Sequence, residues 1–468
     1  MPLFICRHLN VATFGLVTLF AYPHARGART SPQAPSTRPS SSSQSKPQQA
    51  SSATADPLAP LLAQAQAALD RNDFSAAVPL LQQIAEAKPT DALPRFELGF
   101  AYSGLKKNAE AIAAYRRAIA LDPNLAPAQL NLGIALLDSD PAAALESFAT
   151  AAKLLPGQAR PIYLMGEALE RSGKRSEAIQ QYRAALALAP KDDAVLFALA
   201  RALLAEKQPA AAESSFRELL TVKPDSAPAQ LGLAETLLTE RKTAEAVDAF
   251  RDYLLESPDD RHARFERAAA LQDLNRSDES LAELDKLDQL DQLGPGASPS
   301  ADSLTLRGSI FMQQKKWSDA AAAFEKALAV PSDVRADVRA DAQLHLWMGH
   351  TKMELHDYAA AEKELRRSLE LAPANSDALR ELVSVYYLSG QYEATVSTLD
   401  LLAQHQAPGA LDWFFRALSC DKLGRKPEAA AAYQKFLEMD RGQRPDQEFQ
   451  AQARLKLLLR ELGRSSGK

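Results

Sequence analysis

Residues Ala92–Pro123, ALPRFELGFAYSGLKKNAEAIAAYRRAIALDP, hold one complete period of a unit that recurs from about residue 57 to about residue 441. Numbered from Ala92, the unit has Gly99 at position 8, Tyr102 at 11, Ala111 at 20, Tyr115 at 24, Ala118 at 27 and Pro123 at 32. The closing prolines Pro89, Pro123, Pro156, Pro190, Pro224 and Pro258 are spaced 34, 33, 34, 34 and 34 residues. Small residues at 8, 20 and 27 with an aromatic at 24 describe two helices that cross closely, the ring filling the space its small neighbours leave. On this reading Gly99→Ala is tolerated, Gly99→Leu overpacks by roughly 1–3 kcal/mol, and loss of the Tyr115 ring costs about 3–5 kcal/mol. The proline ends the second helix, because it lacks an N–H and disfavours α geometry at the preceding residue.

The same positions refill along the chain. The third unit carries Gly133, Leu136, Ala144, Phe148 and Ala151, and is one residue short at Ser139-Asp140-Pro141, an N-cap followed by a first-turn proline. The fourth carries Gly166, Ala178, Tyr182 and Ala185; the fifth Ala200, Ala212 and Phe216; the sixth Ala234, Ala246 and Phe250. The first unit, with Ala65, Ala68, Ala77 and Leu81, is a weak copy with Pro79 inside its second helix, where a kink is expected. The seventh (Ala268, Ser280, Leu284) has no closing proline and runs into the Gly/Pro/Ser stretch at 292–303. Units eight to eleven resume at 304–441, with VRADVRAD at 334–341 inserted before the ninth. Residues 445–463 then form an amphipathic helix that suits the end of an array.

This slot pattern and spacing resemble the tetratricopeptide repeat. The resemblance implies an all-α fold: an α-α superhelical solenoid of about eleven helix-turn-helix repeats with a C-terminal capping helix. It also implies an array at 57–291, a break at 292–303 that could serve as a hinge, and a second array at 304–441.

Composition fits a folded protein, at 46% hydrophobic and 24% charged, with a net charge of −5. Residues 1–56 hold five Lys/Arg against one acid, so the remainder is near −9 and offers no basic stripe for nucleic acid. Arg7, the apolar run Leu9–Tyr22 and the small residues around Ala25-Arg26-Gly27 read as an export signal over 1–27. The run is short for a bilayer span. The expected location is therefore periplasmic or secreted, the alternative being an N-terminal anchor facing the periplasm. Residues 28–56 are Ser, Pro and Gln with almost nothing apolar, a disordered tether. Once the signal is removed only Cys420 remains, so no internal disulfide is expected.

No motif of catalysis or cofactor binding is present. Gly166 with Gly173-Lys174 has the wrong spacing for a phosphate loop, and there is no HExxH, paired cysteine or Gly-x-Ser-x-Gly. His345, His350 and His356 are spaced five and six apart rather than four, which reads as polar-face or groove histidines. Glu167, Glu170 and Arg171 read as solvated ion pairs. The expectation is no enzyme, no cofactor, no metal, and a protein or peptide partner. In the proteins that the chain resembles, positions 2, 5, 9, 12 and 13 of the first helices line a concave partner-binding face. Carried over, they are Phe96, Phe100, Leu130, Ile134, Leu137, Tyr163, Phe197, Leu204, Leu231 and Leu238, with Arg160, Glu167, Arg171, Arg201 and Glu235 among them. An apolar trough with scattered charges suits an extended or helical segment; equally, positions 5 and 9 could simply pack against the next first helix. No unit has the Lys and Asn pair of a carboxylate clamp. Two roles are open: an adaptor of the cell envelope, or an accessory subunit of a polysaccharide-export or secretion complex.

Overall fold

A computed structural model describes residues 58–293, 300–330 and 338–465. The expected signal (1–27), the tether (28–56), the middle half of the 292–303 break (294–299) and the first half of the insertion, 334–337, lie outside the described residues. The described chain is helical throughout, with no strand among the described residues, and divides into two compact units between Pro258 and Asp259.

The first compact unit holds six helix pairs. They are α1 (Ala59–Asp70) with α2 (Phe74–Ala87), α3 (Leu93–Gly104) with α4 (Asn108–Leu121), and α5 (Ala126–Leu136) with α6 (Pro141–Leu154). Then follow α7 (Ala159–Arg171) with α8 (Arg175–Leu188), α9 (Asp193–Ala205) with α10 (Pro209–Val222), and α11 (Ala227–Thr239) with α12 (Thr243–Glu256). The second holds α13 (Arg261–Asp273) with α14 (Ser277–Leu293), α15 (Ala301–Gln313) with α16 (Trp317–Ala329), and α17 (Val338–Glu354) with α18 (Tyr358–Leu371). It continues with α19 (Ser376–Leu388) and α20 (Tyr392–His405), then α21 (Ala410–Lys422) and α22 (Lys426–Asp440), and closes with α23 (Pro445–Ser465). Eleven pairs and a final helix are what the repeat implied.

The recurring positions form the core. Ala111, Ala118, Tyr115, Ala144, Phe148, Ala178, Tyr182, Ala212 and Ala246 have no more than 1% exposure. One expectation is corrected: at Gly99, Gly133 and Gly166, with the rings where they stand, there is no room for a β-carbon. A Cβ on Gly99 would sit 2.6 Å from Tyr115 Cδ1, one on Gly133 2.5 Å from Phe148, and one on Gly166 2.4 Å from Tyr182. Each ring fills the space that a β-carbon on its glycine would take. Where Ala200 takes the position, the ring of Phe216 lies instead against Gly232 of the next first helix, 2.4 Å from where its Cβ would be.

A second regularity sits in the turn between paired helices. Asn72, Lys106, Gly173, Lys207, Arg241, Asn275, Lys315, His356, Gly390 and Gly424 all have positive φ, and all occupy position 15 of their units. In the second repeat the Lys106 N–H donates to Ser103 O at 3.0 Å and the Lys107 N–H to Tyr102 O at 2.9 Å. These bonds satisfy last-turn carbonyls of the first helix and reverse the chain in a left-handed cap. The third repeat, one residue shorter, lacks this cap; Asp140 caps α6 by accepting from the Ala143 N–H at 3.0 Å. Pro79 lies inside α2, and the helix continues through it.

In the second compact unit, Arg307 of α15 reaches back to Asp285 at 2.6 Å and Asp288 at 2.8 Å on α14, tying together the helices that flank the Gly/Pro/Ser stretch. Within its first pair, Glu283 (3% exposed) accepts from Arg264 and Arg267, each at 2.6 Å.

Candidate functional site

The first helices of the first compact unit (α3, α5, α7, α9, α11) carry the candidate face. Three of them begin at Leu93, Ala126 and Ala227, each followed directly by a first-turn proline (Pro94, Pro127, Pro228), which loses no hydrogen bond there. Helix periodicity then puts positions 5, 9 and 12 on one stripe.

The stripe is not uniformly available. Phe96 (3% exposed), Leu130 (1%) and Leu137 (8%) are core residues, which corrects their assignment to a partner groove. Phe96 packs on Tyr115 with ring centroids 6.1 Å apart, so its position is filled from within the array. Phe100, Tyr163, Phe197, Leu204, Leu231 and Leu238 are half-buried, and Ile134 is exposed at 36%. Phe100 meets Phe74 edge-on at 5.8 Å, and Phe197 meets Phe216 at 6.2 Å. Each therefore offers one face outward while its other side is seated.

Among the charged members, Arg160, Arg171 and Arg201 are exposed and Glu167 and Glu235 half-buried. The guanidinium of Arg201 lies 5.8 Å from the Phe197 ring centroid. The solvated ion pair expected of the Glu167 cluster is found only for Arg171, which pairs with Asp138 of the preceding repeat. Glu167 instead accepts from the Tyr163 hydroxyl at 2.8 Å, and Glu170 from the Tyr182 hydroxyl at 2.7 Å. Burial raises the Glu167 carboxyl above its ordinary value, against the Tyr163 hydrogen bond and the nearby Arg171 and Arg201. Burial, then Glu167, push the Tyr163 phenol up. The tyrosines are hydrogen-bond donors that hold both carboxyl groups in place.

Other candidates resolve into structure. His350, expected on a polar face, is 6% exposed; its Nδ1 lies 3.1 Å from Glu381 and its ring 5.7 Å from that of Trp317. His345 pairs with Glu364 at 2.7 Å, and His356 occupies the left-handed turn position. No group of three or more His, Cys, Asp or Glu among the described residues is placed to hold a metal ion. Cys420 is fully buried, and burial, with Glu428 nearby, raises its thiol. No described helix is long and apolar enough to cross a membrane.

Stacked helix pairs with half-open side chains along the first helices define an interaction scaffold, a fold generally used to hold other polypeptides rather than to catalyse. A tetratricopeptide repeat profile matches residues 163–230, 231–298 and 348–410, and a second TPR repeat profile matches 104–139, together about half of the chain. The chain belongs to the tetratricopeptide-repeat family.

Among solved structures, residues 41 to the end of MamA from Desulfovibrio magneticus RS-1 are 21% identical, covering 37% of this chain and 99% of that one at a TM-score of 0.36. YrrB, described as a TPR protein with an unusual peptide-binding site, is 20% identical over 42% of this chain and 97% of its own, with a TM-score of 0.36. Yeast Tom70 is 11% identical over 86% of this chain and 96% of its own, at 0.32. No curated protein matches the sequence.

Proposed function

We propose that this protein is a non-enzymatic scaffold of the cell envelope that holds a segment of another protein along the first-helix face of residues 58–258. The observation that carries this reading is the row of half-open apolar side chains on successive first helices. Phe100, Ile134, Tyr163, Phe197 and Leu231 stand one per repeat, with Glu167, Arg201 and Glu235 between them. Such a row gives a bound segment apolar anchors at repeat spacing and charges of both signs that fix its register. Rings seated on one side lose little conformational freedom on binding, which favours affinity. Placement in the envelope rests on the N-terminal basic residue and apolar run of 1–27.

The test is co-precipitation from envelope fractions with the tagged full chain. Ile134→Asp combined with Arg201→Glu should abolish recovery of the partner. Leu188→Asp on α8, exposed to a similar degree (45%), should leave recovery intact. Equal recovery by all three proteins would reject the assigned face, and their recovery only from cytosol would reject the assigned compartment.

A further inference from the structure

α23 presents a face that the helix array leaves uncovered. Ala451 and Leu458 are fully buried with Phe436 and Tyr433 of α22. Arg454 donates to both carboxylate oxygens of Asp421 on α21, at 2.5 and 2.7 Å. These contacts fix which side of α23 points away. On that side Asp446, Phe449, Ala453, Leu457 and Arg460 are all exposed, Phe449 at 75% and Leu457 at 46%. Their spacings of 3, 4, 4 and 3 residues are those of a helix–helix seam. At roughly 100° per residue the five fall within an arc of about 80°.

The stripe is chemically symmetric about Ala453. Four residues to either side stand the apolar Phe449 and Leu457; seven to either side stand the acid Asp446 and the base Arg460. Neither Asp446 nor Arg460 has a partner among the described residues. The helix dipole favours an acid in the first turn and bases later, but it does not call for a large exposed apolar residue on either side of an alanine. Glu448, also in the first turn, accepts from the Gly442 N–H ahead of the helix at 2.5 Å and already supplies an acid near the helix start.

We infer that α23 pairs antiparallel with α23 of a second copy of this chain, about a two-fold axis through Ala453. In that arrangement each residue faces the one equally far on the other side of Ala453. Asp446 then meets Arg460 twice and Phe449 meets Leu457 twice, while the small Ala453 lets the helices approach at the axis. Parallel pairing would set Asp446 on Asp446 and Arg460 on Arg460, so the charge order selects the antiparallel form. The contact is isologous and closes at two copies. It does not depend on the partner-binding face assigned above.

The test is sedimentation equilibrium of the full chain carrying Cys6→Ser, from low to high micromolar concentration. A dimer is expected, with Phe449→Asp weakening association roughly tenfold or more. Asp446→Arg should weaken it too, and Asp446→Arg with Arg460→Asp should restore it, since the exchange keeps every facing pair opposite in sign. Ala453→Cys should oxidise to a disulfide-linked dimer and Lys456→Cys should not, because only the axial position brings two β-carbons within bridging distance. Circular dichroism of each variant checks that the fold is kept. A monomer at all concentrations overturns the proposal, as does a dimer indifferent to Phe449→Asp and the charge exchange. Capture of a different protein or a lipid surface by this face while the chain stays monomeric overturns it equally.

Discussion

Replacing Gly99 by alanine sets two effects of known size against each other. Inside a helix, alanine is favoured over glycine by about 1 kcal/mol. The new β-carbon would lie 2.6 and 2.7 Å from Cδ1 and Cε1 of Tyr115. Ordinary carbon contacts are at about 3.5–4.0 Å, so the ring has to retreat by about an ångström. It has little freedom to do so, being fully buried with its hydroxyl 3.0 Å from Ser103 Oγ. Burial also pushes that phenol up to about 12, so it remains a neutral hydroxyl at any working pH. Overpacking of this kind costs about 1–3 kcal/mol, leaving a net destabilisation of about 1 kcal/mol.

Gly463→Ala provides the contrast, because nothing lies within 4 Å of its Cβ position and α23 should gain up to about 1 kcal/mol. Urea unfolding by circular dichroism gives the two signs, and hydrogen exchange over α3 and α4 locates the loss, since repeat arrays open locally. Tyr115→Leu and Gly99→Ala together should cost less than the sum of the two single changes, because without the ring the new β-carbon meets no clash; Ala268 and Leu284 already share these two positions in the seventh repeat. Stabilisation of Gly99→Ala equal to that of Gly463→Ala would refute the reasoning.

Other outcomes follow from single contacts. Glu283→Gln removes the carboxylate charge that Arg264, Arg267 and Lys286 share in a mostly buried site, and should cost about 3–5 kcal/mol by chemical unfolding of residues 259–468. His350 is pulled down by burial, but Glu381 more than offsets this and its folded pKa is raised. Its stabilising contribution is thus fully present below about pH 6.5 and disappears as pH rises through the higher folded value. Unfolding of His350→Ala should lack that alkaline decline. Arg241→Gly relieves a left-handed conformation worth about 1–2 kcal/mol against a glycine entropy cost of about 0.5–1 kcal/mol, so the melting temperature should rise slightly.

The pairing of helices was legible because Gly99, Ala111, Tyr115 and Pro123 each have one steric reason to stand where they do. The sequence overestimated the room at the glycine position, since spacing shows that a side chain must be small but not how low the ring lies. The left-handed turn at position 15 is not legible in the sequence, because Lys106, Lys207, Arg241, Lys315 and His356 occupy it alongside Asn and Gly. Chain reversal imposes that geometry whatever side chain it carries into solvent. On the candidate face, Phe96 and Leu130 could not be told from Phe100 and Ile134. All four are apolar at helical spacing, and only the seating of one repeat on the next decides which are covered. The tyrosine partners of Glu167 and Glu170 were hidden for the same reason, because Tyr182 lies on the second helix of the pair.

Recognition along the first helices is tested most directly by photo-crosslinking in cells, with a photoreactive amino acid placed singly at Ile134, Arg201 or Leu188. The account predicts one crosslinked protein species, shared by positions 134 and 201 and absent at 188. Crosslinks at 188 alone, or different species at 134 and 201, would contradict it.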